Sequence, residues 1–146
     1  MKKHHLALLA VAFAFGCEVK TNAVVTTAPS EEKTKEVLDH HWNVFQANDL
    51  EATMADYTDE SVLITPDKTF KGLAEIRENF KFAFSLFPKD STTFQLDKSV
   101  VDRDVAYILW QATGPKIKVT YGTDTFIIKD GKIVRQTYAG VAAPLP

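Results

Sequence analysis

The chain has 146 residues, with 17 basic and 19 acidic side chains, a net charge of −2 and one cysteine. This length suits one domain, and the slightly acidic balance excludes the basic face that a nucleic-acid binder requires. A single cysteine excludes an intramolecular disulfide.

Residues 1–16 read as a signal peptide. Lys2 and Lys3 form a positive start, Leu6 to Phe15 is an unbroken apolar run, and Ala14-Phe15-Gly16 is a small-x-small exit. Such a run is too short to cross a hydrocarbon core of ~30 Å as a permanent helix. Gly16-Cys17 resembles the end of a bacterial lipobox, in which the cysteine becomes the lipidated first residue, although Ala14 and Phe15 depart from that pattern. An exported protein with one unpaired cysteine is thereby explained; simple secretion with a spare thiol is the alternative. By resemblance to Gram-negative lipoproteins, Glu18 implies the outer membrane, so the expected location is the bacterial periplasm, with membrane attachment through the lipid only. Residues 17–30 are small, polar and without a sustained period, and read as a flexible tether.

The domain is expected over residues 31–146. Ser30 can cap a helix whose first turn holds Glu31 and Glu32, where the helix dipole favours negative charge. Val37, His41 and Phe45 recur every four residues, with Leu38 and Trp42 beside them, so residues 31–47 form one amphipathic helix. Asp49 can cap a shorter helix carrying Leu50, Met54 and Tyr57. A strand at 61–65, the turn Thr65-Pro66-Asp67-Lys68, and a helix at 73–87 stopped by Pro88 follow. Four strands complete the chain: 92–101, 105–112, 119–128 and 132–141. Asp130-Gly131 is the strongest hairpin signal, and the short connections make these four strands antiparallel.

Three stretches, HHWNVFQANDLEATMADYTDESVLITP, FKGLAEIRENF and YGTDTFIIKDGKIVRQTYAG, resemble the nuclear transport factor 2-like superfamily, in its SnoaL-like and ketosteroid-isomerase-like branch. The resemblance covers about residues 31 to 141. It implies an α+β cone, a half-barrel in which a curved antiparallel sheet wraps three N-terminal helices around a pocket at its wide end.

Asp124 is the sharpest candidate for chemistry. Period-two geometry puts it on one face with Phe126 and Ile128, so an inward face buries a carboxylate among apolar groups. The resemblance gives its strand position to a neutral acid that donates to a substrate oxyanion; that enzyme is a familiar reference case for a carboxyl kept protonated. His41 lies on the apolar stripe of the first helix, where the resemblance places a catalytic tyrosine. His40 is rotated about 100° away and is expected in solvent. Adjacent helical histidines cannot chelate one metal ion, so neither a metal site nor a cofactor is expected. Thr65 stands where the isomerases carry their general-base aspartate. It cannot accept a proton near neutral pH, so the steroid-isomerase mechanism does not carry over; Asp67 nearby reads as solvated.

By resemblance, Trp42, Tyr57, Ile108, Trp110, Gln136 and Tyr138 line the pocket. Gly122 reads as the site of a bulge. Tyr107, Leu109, Ile127 and Ile133 are expected on the outer sheet face, a surface on which a homodimer could form. Three functions follow: a pocket for a small, largely apolar ligand; an isomerase, dehydratase or cyclase without cofactor, using His41 and Asp124; or a dimerising module. The catalytic reading requires His41 and Asp124 to converge within ~2.6–3.2 Å, directly or through one water.

Overall fold

The computed structural model describes residues 30–146; the expected signal peptide, Cys17 and the tether as far as residue 29 lie outside them. Helix α1 (Glu31–Gln46) begins at Ser30, whose Oγ accepts the Lys33 N–H at 3.4 Å. It buries Val37, Leu38 and His41, the apolar stripe read from the sequence. Asn48, at φ 53°, reverses the chain, and Asp49 caps α2 (Leu50–Met54) by accepting the Ala52 N–H. Asn48 also donates to Phe87 O at 3.0 Å and accepts from Lys89 N at 2.7 Å, so it ties this reversal to the far end of α3 (Gly72–Leu86).

Six strands make one sheet in the order β2-β1-β6-β5-β4-β3: β1 (Val62–Ile64), β2 (Thr69–Lys71), β3 (Thr93–Asp102), β4 (Val105–Thr113), β5 (Ile117–Lys129) and β6 (Lys132–Pro144). Neighbours are antiparallel except β1 and β6, which run parallel. The α+β cone is therefore as expected, with two additions. β2 forms a short hairpin with β1, and that hairpin joins the free edge of β6.

Register shifts fall between Leu96 and Lys98 in β3, between Trp110 and Ala112 in β4, between Val119 and Tyr121 in β5, and between Ile127 and Ile128 where β5 meets β6. Each inserts a residue into one strand and bends it, so the sheet curls around α1 and α3. The last shift corrects one expectation. It sets Ile133 opposite Ile128 on the inner face, where Ile133 is fully buried, rather than on the outer face with Tyr107, Leu109 and Ile127. Gly122 borders a bulge, in keeping with the reading from the sequence, and has a further reason to be glycine. It pairs with Trp110 at the edge of the β4–β5 shift, and a Cβ there would sit 2.7 Å from the indole ring. The bulge is beside it, at residue 120.

The inner face of β4 presents Ala106, Ile108, Trp110 and Ala112, and that of β5 presents Asp124, Phe126 and Ile128, all buried. Ile76 and Phe80 of α3 and Val37 and Leu38 of α1 close over the inner end of this surface. The wide end stays open.

Candidate functional site

A cavity of about 640 Å³ occupies the wide end of the cone. Trp42 and Phe45 of α1, Phe80 and Ala83 of α3, and Ile108 and Trp110 of β4 line its wall. Trp110 is held by neighbours on three sides: Trp42 at 6.1 Å between ring centroids, Phe87 at 6.2 Å, and Tyr138 stacked at 6.1 Å. The exposed turn Thr65 to Lys68 and the largely exposed ring of Phe82 border the opening. Thr65 uses its hydroxyl on Lys68, donating to the carbonyl and accepting the N–H, which is a turn-closing role. Asp67 is exposed, as expected.

At the floor stand His41, Asp124 and Gln136. Asp124 points inward and is buried. Its Oδ2 accepts the Trp110 indole N–H at 2.8 Å, and its Oδ1 accepts a Gln136 amide N–H at 2.8 Å. Burial raises the Asp124 pKa, and the hydrogen bonds from Trp110 and Gln136, with the charge of His41, oppose that rise. His41 is buried in a cage of Tyr57, Phe80 and Phe126 ring edges, at 5.4 to 5.6 Å. Its Nδ1 faces Asp56 Oδ2 at 3.0 Å, and its Nε2 faces the Tyr57 hydroxyl at 3.3 Å.

His41 and Asp124 do not touch. Tyr57 and Gln136 join them: the Tyr57 hydroxyl donates to Gln136 Oε1 in a short bond, and Gln136 passes on to Asp124. Tyr57 itself is buried behind the wall and does not line the cavity, contrary to its expected place there. Its phenol pKa is pushed well up, first by burial and then by the charges of Asp124 and Asp56. Asp56, which the sequence did not single out, anchors the other end of the chain. One carboxylate receives both histidines, His40 at 2.8 Å on Oδ1 and His41 at 3.0 Å on Oδ2. His40 keeps 48% of its side chain exposed, so it is partly in solvent as expected, but it is not free of the protein. Among the described residues, no group of three or more His, Cys, Asp or Glu side chains is placed to hold a metal ion.

Hydrogen counting limits what this floor can do. The Tyr57 hydroxyl has one hydrogen and two acceptors beside it. When it goes to Gln136, the amide presents its N–H to Asp124, and the carboxylate accepts on both oxygens. When it goes to His41, the Gln136 amide must turn over, and its Oε1 then needs a hydrogen on Asp124. In both arrangements Trp110 still donates to Asp124.

The SnoaL-like domain model matches residues 38–136, most of the cone. The chain belongs to the SnoaL-like domain family. Solved structures agree with that at the level of fold. This SnoaL-like chain is similar to the epoxide hydrolase/cyclase-like enzyme SalBIII of pyran ring formation in the polyether salinomycin, with 17% identity, a TM-score of 0.68, and 80% of this chain and 99% of that one covered. An NTF2-like protein of unknown function from Mesorhizobium loti has 23% identity and a TM-score of 0.63, over 76% and 93% of the two chains. A de novo designed protein with a curved β-sheet, at 14% identity, matches with a TM-score of 0.66 over 77% and 88%. No curated protein matches the sequence.

Proposed function

We propose that this SnoaL-like protein binds a small, largely apolar ligand in its cavity and does so at the cell envelope. The observation that carries the reading is the combination of an aromatic wall with a floor whose polar groups are already paired within the protein. His41 turns its two ring nitrogens to Asp56 and Tyr57. A general base needs a nitrogen facing its substrate, and both nitrogens of His41 face protein groups. Asp124 accepts an N–H on each oxygen, from Gln136 and Trp110, and is held in place by both. A cavity of a few hundred cubic ångströms with apolar walls and a few fixed polar groups is the usual form of a small-molecule site.

The second reading is a cofactor-independent enzyme of the isomerase, dehydratase or cyclase kind. The continuous chain from Asp56 through His41, Tyr57 and Gln136 to Asp124 favours it, because such a chain could move a proton without His41 touching the substrate. Native mass spectrometry of the protein recovered from its own cells tests both readings. Binding predicts a retained molecule whose mass is unchanged after long incubation. A mass that changes with time supports turnover, and a protein that never carries any ligand contradicts the first reading.

The envelope location rests on the pattern of residues 1–17. Replacing Cys17→Ser should move the protein from the membrane to the soluble fraction; unchanged membrane attachment would contradict the anchor. Self-association through the outer sheet face is the partner reading. It is supported by exposed Val100, Val105 and Tyr121 on that face.

A further inference from the structure

We infer that the cavity floor selects a ligand bearing a hydroxyl group, an alcohol or phenol on an apolar frame, over the corresponding ketone. The inference rests on the binding reading and names the ligand class for the same site.

Asp124 has two oxygens, each with one protein N–H donor, from Gln136 and Trp110 at 2.8 Å. A carboxylate has about four lone-pair directions, so each oxygen keeps room for another donor. In the alternative hydrogen arrangement Asp124 carries a hydrogen, but that hydrogen is required by Gln136 Oε1. In the bonds that the structure shows, an ionised Asp124 turns only acceptor lone pairs toward a ligand. A ketone oxygen placed there would meet a second acceptor. A ligand hydroxyl would donate to it.

Tyr138 supplies the other half. It is the direct cross-strand partner of Asp124, so both side chains rise from the same face of adjacent strands and both line the cavity. Its hydroxyl has no partner among the described residues, and its ring is fixed by stacking on Trp110. With its hydrogen in place, Tyr138 can donate to a ligand oxygen from the same wall, its hydroxyl lying over Gly140. A ligand hydroxyl can give its hydrogen to Asp124 or receive one from Tyr138; a carbonyl can use only Tyr138. His41, Tyr57, Asp56 and His40 are the other titratable groups behind the floor. Asp67 and Lys68 border the opening, at the other end of the cavity.

The test uses 2-decalol and 2-decalone, which differ only at the oxygen and are transparent where tryptophan fluoresces. Both tryptophans of the chain line the cavity, so intrinsic fluorescence reads occupancy directly. The expected result is 2-decalol binding at least tenfold more tightly than 2-decalone to the wild type. Tyr138→Phe, at a half-buried site that should still fold, should weaken 2-decalol several-fold. Asp124→Asn should remove most of the preference if circular dichroism shows a folded variant. Equal affinities in the wild type, or tighter 2-decalone, would overturn the hydroxyl inference and leave the binding reading standing. No fluorescence response to either compound up to its solubility limit would count against the binding reading, and this inference would fall with it.

Discussion

Tyr57 is the residue on which the floor depends, although it never reaches the cavity. Among the described residues it is the only side chain within hydrogen-bond distance of both His41 and Gln136. Tyr57→Phe keeps the ring and removes the hydroxyl, leaving Gln136 Oε1 and His41 Nε2 buried without that partner. Urea denaturation should show a loss of about 1–3 kcal/mol, the range for orphaning buried polar groups. The raised phenol pKa gives a second signature. A folded-state pKa above the unfolded value of about 10 contributes stability that is complete below that pH and is lost as pH rises through the folded value. Wild-type stability should therefore fall above about pH 10, with a shallower fall in Tyr57→Phe. At acid pH the raised Asp124 pKa acts with the same sign: its contribution is present below the unfolded carboxylate value and lost as pH rises through the folded one.

Asp124 and His41 were legible in the sequence because each sits on a periodic apolar face, and a polar residue on such a face must be buried. Asp56 was not legible. It lies in a loop with no period, 15 residues from His41, and only the fold brings its carboxylate beneath both imidazoles. The same holds for the Trp110 bond to Asp124, which depends on the register of β4 against β5.

At the scale of elements, the sequence carried what local chemistry controls. Ser30, Asp49 and Asp130-Gly131 mark boundaries through capping oxygens and through backbone at positive φ, with Asp130 at 51° and Gly131 at 73°. What it did not carry were features decided by distant pairing. β2 has three residues and no alternation to announce it, and it exists because β1 needs a partner on its outer edge. The parallel contact between β1 and β6 joins segments some seventy residues apart. The one-residue slip beside Ile128 moved Ile133 from the outer to the inner face, since side chains alternate and any shift of one reverses them. Gly122 tests the packing of β5 against β4. Gly122→Ala would drive a methyl into the Trp110 ring, where a Cβ meets ring atoms at 2.7 to 2.9 Å. Overpacking of this kind costs about 1–3 kcal/mol, so thermal melting should occur several degrees lower. A melt equal to wild type would mean that Trp110 can move aside.

As a whole molecule, the chain is a bent sheet that closes its narrow end with α1 and α3 and leaves its wide end as a hollow. The walls are aromatic and the floor is a polar network, the features on which the proposal of an apolar ligand held by a single polar head rests. The family resemblance predicted this container correctly and was silent on its contents, because SnoaL-like motifs are hydrophobic spacings that fix a cone and not a reaction. The competing site is the outer sheet face, where Val100 and Tyr121 are exposed. A ¹H–¹⁵N correlation spectrum recorded during titration with 2-decalol separates the two. The account predicts saturable shifts of the Trp42 and Trp110 indole N–H and the Gln136 side-chain amide, with Val100 and Tyr107 unmoved. Shifts confined to the outer face, with both indoles unchanged, would contradict it.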